Sequence, residues 1–359
     1  MKRIVTMTVI AAATFGICGN AAAQDIHFSQ FYENAIMRNP ALTGIFSGDY
    51  KAGVNYRNQW STISVPFETV LASAETRVVV NREVGDYLSF GLSASYDKAG
   101  TISFNSFQVY PAINYNKALE DNRHSYLSVG FAGGFAQRSF DLSKATFSSQ
   151  YVNGSYASGN ASGENVFNAT MQYYDVAAGI SYNSSAGPGN NVNYYVGAAG
   201  YHITKPKQSF EGNQDLVRLA TKLTGNLGFK WNINEQYGLT MHMNYTMQGS
   251  YRETIAGGLV SWRNTTGDRD SKFVLHGGMF LRFKDAVIPT VKVDYKQYSF
   301  IFSYDVNTST LKTASSGVGG MEVSIFVRGN YKKTQHMGYQ TECPRFERML
   351  DGSGGAAAW

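Results

Sequence analysis

The chain is poor in cysteine, proline and charge, and beyond its first residues it has no long apolar run. Only two Cys occur in 359 residues, and Cys18 falls in a leader described below. Cys343 therefore stands alone in the mature chain, which excludes an intrachain disulfide framework. Charged residues make up 16% of the chain and the net charge is only +5. No Lys/Arg cluster is interleaved with aromatics, so nothing points to nucleic acid as a partner. No run of about 18 apolar residues follows Gln24, which excludes a transmembrane helix. His27, His124, His202, His242, His276 and His336 are scattered, with no Ser or Cys at a catalytic spacing and no two His at ligand spacing. No Gly-rich phosphate loop occurs either. No catalytic residue, metal site or cofactor is expected.

What the chain has in quantity is Tyr (24), Phe (22) and Gly (37), with a slightly polar mean hydropathy. That combination suits a transmembrane barrel, where only every second residue meets lipid and the average stays low. The N-terminus carries a basic start (Lys2, Arg3), an apolar run from Ile4 to Ile17, and small residues Ala21 and Ala23 before Gln24. This is a signal-peptide pattern, so 1–23 reads as a leader and the mature chain as starting at Gln24. At the other end, 351–359 (with GSGGAAAW at 352–359) reads as an appended linker.

Alternation of period two runs through the rest. Leu88, Phe90, Leu92, Ala94 and Tyr96 share one face, with Ser89, Gly91, Ser93 and Ser95 on the other. Leu239, Met241, Met243, Tyr245 and Met247 likewise oppose Thr240, His242, Asn244, Thr246 and Gln248. Such segments predict strands near 49–60, 66–80, 86–97, 103–116, 124–140, 170–182, 191–202, 218–232, 236–248, 251–263, 272–283, 287–295, 298–306 and 319–329. Their length suits tilted membrane strands better than soluble ones. The fold class expected is all-β, a transmembrane outer-membrane barrel of about 14 antiparallel strands spanning 49–330. The longest connections, near 141–169, 203–217 and 307–318, all follow odd-numbered strands and so share one side, as outside loops do. Both termini are then expected on the periplasmic side, with 331–350 as a periplasmic tail.

Residues 24–48 precede the first strand. Phe28, Phe31, Ile36 and Leu42 are irregularly spaced and Pro40 blocks a regular helix, so this is an N-terminal periplasmic or plug segment, packed at or in the barrel at its periplasmic mouth rather than spanning the membrane. Lumen-facing charges are expected at Lys51, Arg57, Glu75, Arg77, Lys230, Arg282, Asp305, Glu322 and Arg328, as ion pairs in a hydrated interior.

Three blocks carry a family resemblance: QDIHFSQFYENAIMRNPALTGIFSGDYKAGVNYRNQW from Gln24, YHITKPKQSF from Tyr201, and YSFIFSYDVNTSTLKTASSGVGGMEVSIFV from Tyr298, followed by CPRF from Cys343. In this order they resemble the PorP/SprF family, outer-membrane proteins of the Bacteroidetes type IX secretion system. The resemblance implies a non-enzymatic export component. It would bind the C-terminal domain of a secreted cargo protein, such as a gliding-motility adhesin, and help export it or anchor it at the cell surface. Implied partners are that cargo domain, the type IX translocon barrel with its associated components, and outer-membrane lipids. Tyr151, Tyr156, Lys205, Lys207, Phe210, Asn307 and Lys312, in outer loops, are the candidate contacts. The competing reading is an outer-membrane channel or transporter for small solutes or hydrophobic molecules.

Overall fold

The computed structural model describes residues 25–331 apart from 61–64, 82–83, 121–123, 153, 158, 164–167, 211–216, 265–272 and 310–316. Fourteen strands form one closed antiparallel barrel. They are β1 (Tyr50–Gln59), β2 (Phe67–Asn81), β3 (Asp86–Ala99), β4 (Phe104–Glu120), β5 (Ser125–Ser139), β8 (Thr170–Ala186), β9 (Val192–Tyr201), β10 (Lys222–Asn232), β11 (Tyr237–Gln248), β12 (Tyr251–Arg263), β13 (Phe273–Arg282), β14 (Ala286–Tyr295), β15 (Tyr298–Asn307) and β16 (Val318–Gly329). The two remaining strands, β6 (Tyr151–Val152) and β7 (Ser155–Tyr156), make a small hairpin inside the loop after β5. The barrel closes by pairing β1 with β16, from Tyr50 opposite Gly329 to Gln59 opposite Gly320. Strand count and sequence positions agree with the alternation in the sequence. The largest departures are four residues, at the ends of β4 and β8 and the start of β10.

The wall is apolar outside and polar inside. Phe90, Leu92 and Tyr96 of β3 are exposed, whereas Ser89, Ser93 and Ser95 are buried. Leu227, Met241, Val260, Met279, Phe300 and Ile325 are exposed around the circumference. Trp231, Tyr237, Trp262, Tyr295 and Tyr298 also lie outside, at the strand ends nearest one mouth. A belt of aromatic side chains at that level fits a membrane–water boundary. At the opposite mouth Trp60 packs edge-on against Phe67, ring centres 4.9 Å apart.

The two mouths differ. Turns such as 296–297 and 233–236 close one end, while the connections 140–169 and 202–221 emerge at the other. The described residues of the 140–169 loop are folded: Leu142–Lys144 and Ser148–Gln150 are 3-10 turns, and β6 and β7 follow.

The N-terminal segment lies in the barrel, where it runs through the lumen from one mouth to the other. Asp25, its first described residue, pairs with His202 and Lys222 at the long-loop mouth. Gly44 lies against Ser89 and Glu75 toward the short-turn mouth, where β1 then begins. The chain after β16 ends at that same short-turn mouth, with the backbone N–H of Tyr331 donating to Asp49. Among the described residues, Asp25 and Tyr331 lie at opposite mouths. Period-two counting places strands but says nothing of a segment that has none.

Candidate functional site

The plug, residues 25–48, is rich in buried polar groups, among them Ser29, Gln30, Glu33, Asn34, Arg38, Asn39, Thr43 and Ser47. It contains a 3-10 turn at Phe31–Glu33, a single α-helical turn at Ala35–Arg38 and a second 3-10 turn at Pro40–Leu42. So irregular a backbone leaves N–H and C=O groups unpaired by the segment itself, and enclosed in a barrel they need partners from the wall. The strands supply them. Glu322 accepts from the backbone N–H groups of Ser29 and Gln30, at 2.7 and 3.1 Å. Arg57 donates to the His27 carbonyl. Tyr201 Oη donates to the Ile36 carbonyl at 2.6 Å and Thr224 Oγ1 to that of Arg38 at 2.7 Å. Asn114 Nδ2 reaches the carbonyls of both Ala41 and Thr43, and Gly44 N–H donates to Glu75.

Two ion clusters hold the plug more strongly. Glu33, fully buried, lies 3.0 Å from Lys51, 2.7 Å from Lys292 and 3.2 Å from Arg328. Asp305 lies 3.0 Å from both Arg57 and Arg282 and accepts from Ser29 Oγ at 2.6 Å. Of the lumen charges expected from the sequence, Lys51, Arg57, Arg77, Arg282, Asp305 and Arg328 form ion pairs, and the plug itself contributes Glu33 at the centre of the first cluster and Ser29 to the second.

Packing is shaped as closely as the polar contacts. On one side of the lumen, β3, β5, β8 and β9 present glycine wherever the plug presses hardest. A Cβ on Gly130 would lie 2.3–2.5 Å from the backbone of Pro40 and Ala41. On Gly179 it would meet Asn39 Oδ1 at 2.0 Å, and on Gly91 the side chains of Ile36 and Thr43 at 2.7–2.8 Å. Gly130 and Gly179 face each other across the β5–β8 ladder, so the niche is continuous. On the other side the wall is bulky: Ile255, Leu259, Phe280 and Ile288 surround Phe31 and Tyr32, and Tyr32 stacks between His242 and Phe280.

At the long-loop mouth the plug is latched by a carboxylate–imidazole–carboxylate arrangement. His202 Nε2 lies 2.7 Å from Asp25 and Nδ1 2.8 Å from Asp175. Burial works to lower the His202 pKa, but Asp25 and Asp175 outweigh it and hold the imidazole above its ordinary range. Burial likewise opposes ionisation of Asp25, yet Lys222 and His202 hold that carboxyl well below the usual carboxylate range. No sequence motif announced this latch, because its residues are separated by up to 177 positions.

The predicted contact residues distribute unevenly. Tyr151 and Tyr156 are exposed and opposed on the β6–β7 hairpin. Lys205 and Lys207 are exposed on the 202–221 loop, where Lys207 bridges to Arg218. Phe210 is half-buried and joins the two long loops: its ring lies 5.0 Å from Phe140 and 6.4 Å from Phe104, and its carbonyl accepts from Asn168 N–H. Phe210 is therefore chiefly a brace between loops. Asn307 ends β15 buried, its side chain donating to the Val318 carbonyl, and so is turned away from the surface. Lys312 lies outside the described residues. The structure brings together Tyr151, Tyr156, Lys205, Lys207 and Phe210 on the loops of one mouth. Among the described residues, no group of three or more His, Cys, Asp or Glu could hold a metal ion.

The family described as type IX secretion system membrane protein PorP/SprF matches residues 20–325. No curated protein matches the chain. Among solved structures, a FadL homologue from Pseudomonas aeruginosa is similar at 11% identity and a TM-score of 0.48, covering 80% of this chain and 91% of its own. A monoaromatic hydrocarbon channel, CymD, is similar at 11% identity and a TM-score of 0.43, covering 89% and 97%. The P. putida toluene transporter TodX is similar at 11% identity and a TM-score of 0.39, covering 82% and 93%. Likeness at this level assigns no transport activity to the present chain.

Proposed function

The chain belongs to the PorP/SprF family of type IX secretion system membrane proteins, and from that membership we propose that it is a surface receptor for the C-terminal domain of a secreted cargo protein. The long-loop mouth faces the cell exterior in this reading. The barrel is then an outer-membrane platform, and the loops 140–169 and 202–221 form the docking face. The observation that carries the reading is that the described residues of these two loops are braced to each other through Phe210, while the lumen beneath them is filled by the plug. A merely solvated loop has no need of such bracing, and an open solute channel has no use for a lumen packed with ion pairs. Tyr151 and Tyr156 offer broad contact area with a hydrogen-bonding tip, the side-chain type suited to a folded partner. A gliding-motility adhesin is the kind of cargo the family suggests, and the translocon barrel the partner that hands it over.

Deletion of about residues 145–165 tests this. The barrel still assembles in the outer membrane, and cargo is lost to the medium instead of remaining on the cell. Unchanged cargo retention in cells with a correctly assembled, shortened barrel rejects the role of this loop.

A further inference from the structure

Arg38 sits between two cavities in the lumen. One, of about 60 Å³, is lined by Asn34 and Arg38 of the plug and by Lys222, Gln248 and Tyr251 at the strand ends of the long-loop mouth. The other, of about 40 Å³, lies beyond Arg38 beside Phe46 and Glu75. Arg38 is 5% exposed. Its guanidinium lies over the rings of Phe31 and Tyr195, at 5.2 and 5.5 Å, and one Nη2 donates to the Tyr195 hydroxyl. Its Nε–H has no partner and, among the described residues, no carboxylate pairs with it. Lys51, Arg57, Lys222, Arg282, Lys292 and Arg328, the other cations of the plug cradle, all hold carboxylates.

A buried cation without a counter-charge is costly. A second observation marks the same place. Asn34 is 3% exposed, lines the larger cavity, and neither its amide nitrogen nor its oxygen has a hydrogen-bond partner. Two acidic groups also line that cavity, but each is engaged: Asp25 by Lys222 and His202, Glu253 by Arg282 and Tyr251. A polar cavity needs only about 10–15 Å³ to hold a water, so this one has room for a small anion.

We propose that Arg38 and Asn34 form an anion site that takes a carboxylate, with the Arg38 Nε–H and the Asn34 amide N–H groups as donors. The carboxylate enters from the long-loop mouth. It comes either from a small organic acid in the medium or from the free carboxyl end of a polypeptide. The site does not depend on the cargo reading.

The test uses the full chain in detergent and potassium acetate as probe, with ionic strength held constant by the potassium salt of a sulfonate too bulky for the cavity. Melting temperature rises saturably with acetate in the natural protein. Arg38→Met abolishes the dependence, and Asn34→Leu weakens it at least tenfold. In the absence of acetate, Arg38→Met melts no lower than the natural protein, because an uncompensated buried charge has gone. A flat acetate response in the natural protein, or an undiminished one in both variants, overturns the proposal. Competition by a short peptide with a free carboxyl end, but not by its amidated twin, assigns the site to polypeptide ends. Competition by neither leaves acetate-like small acids as its ligands.

Discussion

His202 shows how one side chain can make the seating of the plug depend on pH. Its imidazole is held above the ordinary histidine range by Asp25 and Asp175. A raised folded pKa adds stability that is fully present below the unfolded value, about 6.5, and is lost as pH rises through the folded value. Asp25 behaves oppositely: its depressed pKa adds stability above the ordinary carboxylate range, lost as pH falls through the depressed value. The latch is therefore strongest in the window between the ordinary Asp and ordinary His values. Thermal melts across mildly acidic to alkaline pH check this. The natural protein loses stability as pH climbs past the His202 value, and His202→Gln removes that slope. A slope unchanged by His202→Gln rejects the latch.

At the level of the element, the plug and the β5–β8 pair fit through missing side chains. Gly130 permits the backbone of Pro40 and Ala41 to lie against the strand. Gly130→Ala puts a methyl into that backbone, which cannot withdraw as a flexible side chain could, and overpacking of this kind costs about 1–3 kcal/mol. The expected result is a folded barrel whose plug is cleaved faster by added protease. Gly133→Ala, on an open position of the same strand, leaves the rate unchanged. Equal cleavage in both variants argues against the niche.

The strands themselves were legible in the sequence because lipid on one side and water or plug on the other impose alternation, as Leu239 to Gln248 display. Lys51, Arg57, Arg282, Asp305, Glu322 and Arg328 were legible too, since charges within such strands must face inward. The depth of the plug was not. Phe28, Phe31, Ile36 and Leu42 follow no period, and their partners, such as Phe280 and Tyr110, come from strands far along the chain. Gly91, Gly130, Gly179 and Gly197 read locally as ordinary strand glycines. Only the closed register places them around one turn of the plug. Arg38 and Asn34 gave no signal, because a missing partner is a property of three dimensions.

For the molecule as a whole, the consequence of filling the lumen is electrical. Among the described residues, two cavities between plug and wall have volumes of about 60 and 40 Å³. The complete protein in a planar bilayer is expected to show little steady conductance. A variant lacking residues 25–44 conducts in large steps, since a barrel of this size without its filling leaves a water path. Large steady conductance of the complete protein shows that the plug does not close the lumen.

The plug and the strand that closes the ring are also bound together. Glu322, Ser324 and Arg328, which hold Ser29, Gln30 and Glu33, all belong to β16, the strand that closes the barrel against β1. Part of the plug's set of partners is therefore present only once β16 has paired with β1 and closed the ring. An unclosed cylinder lacks those holds, so the seating of the plug and the closure of the wall support each other.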